Sequence, residues 1–131
     1  MLGIKPCKKK RNNPEAQTQV AFFEWLSFYP KLRACTFAIP NGGSRHALEA
    51  LNLKRQGVTA GTPDVFLAMP NKIASGAFIE FKAGKNRLTK EQQAMMEILK
   101  NNGYACFVCY SLNDAREAVT KYLGDSFRPN L

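Results

Sequence analysis

The spacing of apolar positions changes along the chain, and each change predicts an element. After a polar and basic opening segment, Asn12-Asn13-Pro14 supplies a helix start with proline in the first turn, and a helix is predicted from Glu15 to about Phe28. Val20 and Phe23 fall on one face with Ala16 and Ser27, Phe22, Trp25 and Leu26 widen the apolar surface, and Tyr29-Pro30 ends the helix. "ACTFAIPN" (34–41) then reads as a short strand halted by Pro40. Gly42-Gly43 make a corner, and Ser44 is the expected N-cap of a helix reaching about Gln56, with Gly57 at its C′ position.

The second half alternates more sharply. A turn at Gly61-Thr62-Pro63 leads into extended chain from Asp64 to Met69, and "GAFIEFK" (76–82) returns as the second arm of a hairpin. "RLTKEQQAMMEILKNNG" predicts a helix capped by Thr89 with Gln92 three residues on, ended by Gly103, and with Met95, Met96, Ile98 and Leu99 on its buried side. "YACFVCY" is almost wholly apolar, which predicts a central or covered strand, and "SLNDAREAVTKYLG" predicts a last helix from about Leu112 to Leu123. The expected class is α/β, a mixed sheet with helices packed on it, in one domain over 14–124 between a basic arm (1–13) and a short tail (125–131).

Composition changes this picture mainly through charge. The 131 residues suit a single hydrophobic core, and 19 Lys and Arg against 10 Asp and Glu leave a formal charge of +9. Such an excess on a small domain attracts polyanions, nucleic acid first, with solubility or membrane-surface attraction as rival readings. The "KKKR" run near the N-terminus fits a solvated tail, a localisation signal or a DNA-touching arm. Cys106 and Cys109 would point to opposite faces of a strand, so they neither pair nor share a metal there. All four cysteines are read as reduced thiols, which places the protein in a reducing cytoplasm. No apolar run approaches the roughly 20 residues that span a bilayer, and the N-terminus lacks the apolar core of a signal peptide, so no membrane partner is expected.

The candidate chemistry follows from the hairpin. Cross-strand neighbours lie about 5 Å apart, so Asp64 at the start of one arm meets Glu80 and Lys82 at the end of the other. Two carboxylates so close repel unless a cation lies between them. Lys82 could serve as an ordinary ion pair, or a hard divalent cation such as Mg²⁺ or Mn²⁺ could be held by oxygen ligands. The single histidine, His46, lies elsewhere in the chain, so zinc-based and histidine-based schemes lose support and metal-assisted phosphodiester hydrolysis remains.

These residues carry a family resemblance. "GTPD" at 61–64 followed by "IEFK" at 79–82 gives Pro63-Asp64…Glu80-x-Lys82, which resembles the PD-(D/E)xK nuclease signature. With the helix bearing Glu15, the "RLTKEQ" start of the helix at 87–92 and the element order, the chain most resembles the VRR-NUC (virus-type replication-repair nuclease) branch, over about residues 14–120. The resemblance implies a restriction-endonuclease-like core with a mixed sheet in α-β-β-β-α-β order, the helix at 44–56 being an addition after the first strand.

By the same resemblance, Asp64, Glu80 and the Phe81 backbone carbonyl would hold the metal. Lys82 would orient or help deprotonate the attacking water, and Glu15 would reach the metal directly or through water. Glu15 in a first turn also favours the helix dipole, and Glu24 is the alternative acid on that helix. Gln92 would touch the active site or DNA, beside its reading as half of a capping box. Asn41, Ser44 and Arg45 around the Gly42-Gly43 turn, and the cluster Lys85, Arg87 and Lys90, would meet the DNA backbone.

The implied activity is a Mg²⁺- or Mn²⁺-dependent DNA endonuclease. Small stand-alone members suggest branched DNA such as four-way (Holliday) junctions, a homodimer, and phage-type DNA repair in a bacterial cytoplasm. A flap, nicking or restriction-like nuclease, or a non-catalytic DNA-binding module, are the alternatives.

Overall fold

The structure is a computed structural model in which residues 13–40, 46–124 and 127 are described. Helix α1 (Pro14–Leu26) opens with Pro14 in its first turn, and the Asn13 side chain accepts from the Ala16 amide at 3.2 Å, as a proline-led, asparagine-capped start should. Pro30 does more than end that helix. It opens a second, five-residue helix α2 (Pro30–Ala34), because the fixed φ of proline suits a first helical position as well as a stop. The first strand is correspondingly shorter than the predicted span, β1 (Thr36–Ala38). Helix α3 (Ala47–Arg55) follows, with His46 at its N-cap position in place of the expected Ser44, which lies outside the described residues.

Strands β2 (Val65–Leu67) and β3 (Ala77–Phe81) form the expected antiparallel hairpin, pairing Val65 with Ile79 and Phe66 with Phe78. Helix α4 (Lys90–Asn101) carries the complete capping box between Thr89 and Gln92, and Gly103 takes the positive φ that lets the chain leave it. Strand β4 (Ala105–Cys109) lies parallel to β3, and helix α5 (Leu112–Leu123) follows on its predicted bounds. The sheet order is β1-β2-β3-β4, a mixed four-stranded sheet with flanking helices.

The apolar "YACFVCY" segment therefore forms an edge strand, not a central one. Its apolar character is explained by cover on both faces, since α4 and α5 both pack on it. On one side of the sheet Val65, Leu67, Ala77, Ile79, Phe81 and Cys109 join Phe22 and Leu26 of α1, Leu32 of α2, and Ala115, Ala118, Val119 and Tyr122 of α5 in a single core. Phe127 returns to this layer, its ring 5.0 Å from that of Tyr29 and 6.1 Å from that of Trp25.

Two side-chain expectations are corrected. Val20 is 58% exposed, because α1 turns its Phe22–Leu26 stripe onto β3 and α5 and leaves Val20 on its outer side. Ile98 is 55% exposed, since α4 buries Met96 and half-buries Met95 and Leu99. Among the described residues no helix is long and apolar enough to cross a membrane.

Candidate active site

Because β3 is pleated, the side chains that alternate with its core residues face the other way, and Phe78, Glu80 and Lys82 share that second face. Extending the register Val65–Ile79 by one pair sets Asp64 opposite Glu80, as the hairpin predicts. The contact is closer than adjacency. The Phe81 amide donates to Asp64 Oδ2 at 2.8 Å, and the Asp64 and Glu80 carboxyls lie within hydrogen-bonding reach of each other. Lys82 Nζ stands 3.7 Å from Glu80 Oε1.

Both charges are deeply placed, Glu80 at 3% and Lys82 at 8% exposure. Burial, then the neighbouring Asp64 charge, pushes the Glu80 carboxyl up to about 7, with Lys82 pulling the other way. Asp64 is also raised, chiefly by burial, against the lowering effect of the Phe81 amide. Glu15 adds its charge to the field at both carboxyls.

Gln92 holds two positions at once. Its Oε1 accepts from the Thr89 amide at 2.9 Å, which completes the cap, while its Nε2 donates to Glu80 Oε1 at 2.8 Å. The side chain that completes the cap therefore also holds the Glu80 carboxyl. With Oε1 held by Gln92 and Lys82, the second oxygen, Glu80 Oε2, is buried with no hydrogen-bond partner. A buried carboxylate oxygen left bare is costly, and natural sites keep such an atom where something else binds it.

Gly61 fixes the approach to Asp64. It has φ +84°, and a Cβ there would come 2.5 Å from the Glu91 carbonyl oxygen and 3.0 Å from the Gln92 amide nitrogen. The segment before Asp64 is thus seated directly on the first turn of α4, next to the residue that holds Glu80. Sequence reading identifies Gly61 only as a turn, and its close approach to a helix 30 positions on is a property of the tertiary fold.

The remaining predicted residues divide clearly. Glu15 sits in the first turn of α1 and its Oε1 lies 3.5 Å from Asn86 Nδ2. Glu24 is exposed farther along α1 and lines a surface groove with Val20 and Phe37. Lys85, Arg87 and Lys90 are exposed along the loop from Lys82 into α4, whereas Asn41, Ser44 and Arg45 lie outside the described residues. His46 is exposed. Cys35, Cys106 and Cys109 are free thiols, and burial pushes Cys109 up to about 12.

Among the described residues no three Asp, Glu, His or Cys side chains gather tightly enough to enclose a metal by themselves. The donors the site offers are two carboxyls, one bearing the bare buried oxygen. That set is all oxygen, so it fits a hard divalent cation completed by backbone carbonyl, phosphate or water, and does not fit zinc.

The profile of the VRR-NUC domain family matches residues 5–113. A solved structure described as a VRR_NUC domain protein superposes with a TM-score of 0.73 at 27% identity, covering 88% of this chain and 94% of its own. No curated protein matches the chain in sequence.

Proposed function

This chain belongs to the VRR-NUC domain family, a family of nuclease-type domains, and from that premise we propose that it is a metal-dependent DNA endonuclease built on a PD-(D/E)xK-like core. The observation that carries the reading is Glu80 Oε2, buried and without a partner beside Asp64 while the other Glu80 oxygen is fully engaged. A purely structural ion pair accounts for Oε1 and Lys82 but not for two buried carboxyls held within reach of each other.

In this reading Asp64, Glu80 and the Phe81 carbonyl hold Mg²⁺ or Mn²⁺, and Glu15 approaches from α1. The bound cation supplies Lewis acidity toward the phosphate and acidifies water. The chain's own residues do the rest. Gln92 fixes the rotamer of Glu80, and the Phe81 amide fixes that of Asp64, so neither carboxyl must reorganise as substrate arrives. Lys82 lies beside Glu80 on a rigid strand, where its ammonium orients the attacking water and offsets charge growing on the phosphate. Water oxygen bonds to phosphorus, one ester P–O bond breaks in line with it, and the departing oxygen takes up a proton.

Lys85, Arg87 and Lys90 carry the positive track onward from Lys82 and, with Asn41, Ser44 and Arg45, hold the DNA backbone. Branched DNA, four-way junctions foremost, is the proposed substrate. A homodimer would bring two such sites to a two-fold symmetric junction.

The test is cleavage of labelled junction, flap, nicked, duplex and single-stranded DNA with Mg²⁺, Mn²⁺ or EDTA. Cleavage should need the metal and be greatest on the junction, and Asp64→Ala and Lys82→Ala should each reduce it by at least about 10³-fold while DNA binding persists. Binding without metal-dependent cleavage of any substrate would leave a DNA-binding module as the answer.

A further inference from the structure

The turn that carries Lys85 and Arg87 has few attachments of its own. It is closed by the Asn86 amide donating to the Ala83 carbonyl at 3.0 Å, and Gly84 at φ +56° lets it reverse. At its far end the Leu88 carbonyl accepts from Gln93 Nε2 of α4 at 3.2 Å, and two further tethers come from distant parts of the chain. Tyr110 Oη donates to the Asn86 carbonyl at 2.9 Å, and Asn86 Nδ2 faces Glu15 Oε1 at 3.5 Å. The first is the shorter and better bond, and it spans 24 positions of sequence.

Tyr110 is itself firmly held. Its amide donates to Asp114 Oδ2 at 2.9 Å, and Asp114 is in turn fixed because its own amide donates to Ser111 Oγ, the cap of α5, at 3.0 Å. One residue earlier, the Cys109 carbonyl accepts the Lys82 amide at 3.0 Å. The end of β4 therefore fastens the segment that follows β3 at two points, at Lys82 by backbone and at Asn86 through the Tyr110 hydroxyl.

We infer that Tyr110 is a positioning residue that presets the 83–88 turn so that Lys85 and Arg87 meet successive phosphates without first paying to order the loop. The inference rests on the proposed DNA contacts of those two residues, and it adds that their effect depends on a hydroxyl that does not itself touch DNA. A turn held in advance loses less entropy on binding than a free one. Tyr110 is 44% exposed, so its ring could instead stack on a base, and the hydroxyl alone separates the two roles.

The experiment compares full-length wild type, Tyr110→Phe, the pair Lys85→Ala/Arg87→Ala, and the triple variant, with DNA binding measured in EDTA across a salt series. Tyr110→Phe, melting as wild type does, should weaken binding about five-fold, the cost of one net hydrogen bond. The log–log salt dependence should stay as in wild type, because Lys85 and Arg87 still reach phosphates once the complex has formed. In the Lys85→Ala/Arg87→Ala background Tyr110→Phe should have no further effect, because the groups that Tyr110 positions are gone. Where cleavage is measured, KM should rise with kcat at saturating DNA unchanged.

Wild-type affinity in Tyr110→Phe would overturn the inference, as would an undiminished effect in the Lys85→Ala/Arg87→Ala background. Wild-type binding by the Lys85→Ala/Arg87→Ala pair would overturn it too. Because binding is read in EDTA, a wild-type protein that never cleaves would remove the nuclease reading and leave this outcome intact.

Discussion

The two faces of β3 are both shielded from water, yet they are built to opposite ends. Toward α1 and α5, Ala77, Ile79 and Phe81 meet only apolar groups, and the Phe22 ring lies 5.7 Å from that of Phe81. On the other face, Glu80 and Lys82 are nearly as buried, but one carboxylate oxygen has no partner and the Glu80 carboxyl is pushed up to about 7. The first face gains stability from every contact it makes. The second gives stability up to keep Asp64 and Glu80 close together across the hairpin, and the first face anchors the strand that carries Glu80.

That contrast can be broken from either side. The largest stability effect belongs to the apolar face. Phe22→Ala should destabilise the fold by about 3–5 kcal/mol in denaturant melts, because a fully buried ring leaves a cavity between α1 and β3. A loss under 1 kcal/mol would mean that α1 does not anchor the strand.

The smaller effect has the opposite sign and comes from the charged face. A carboxyl whose folded pKa stands above its unfolded value binds more protons folded than unfolded. The metal-free protein should therefore lose stability as pH rises from the ordinary glutamate value of 4.5 to about 7, with the loss complete above that. Glu80→Gln should remove the larger part of this dependence, leaving the share that burial of Asp64 contributes, and stabilise the metal-free protein above neutral pH, by up to about 3 kcal/mol. Melting points that are flat with pH in wild type and unchanged by Glu80→Gln would show that the carboxyl is not under this strain.

The same contrast explains what sequence could reveal. Period-2 alternation in "IEFK" put Glu80 and Lys82 on one face, and the hairpin register put Asp64 beside them, because both follow from local backbone geometry. The Thr89…Gln92 capping box was likewise local. The second bond of Gln92, to Glu80, and the Phe81 amide on Asp64 depend on how α4 and β2 are seated, which no spacing rule encodes.

Proline was ambiguous for a physical reason. Pro30 both ends one helix and opens another, so the short α2 was read as a stop. "YACFVCY" left central and covered open between them, and it is the covered one that holds, because apolar cover by two helices leaves the same trace in sequence as burial between strands. Asn86 and Tyr110, a polar turn residue and a strand-end tyrosine, gave no signal at all until the fold put them 2.9 Å apart.

The most direct test of the central claim is calorimetric titration of the wild type and Glu80→Gln with Mn²⁺ above pH 7, without DNA. The account predicts that wild type binds the ion and that Glu80→Gln, folded as wild type, loses the binding. Unchanged Mn²⁺ binding by Glu80→Gln, or no binding by wild type, would contradict it.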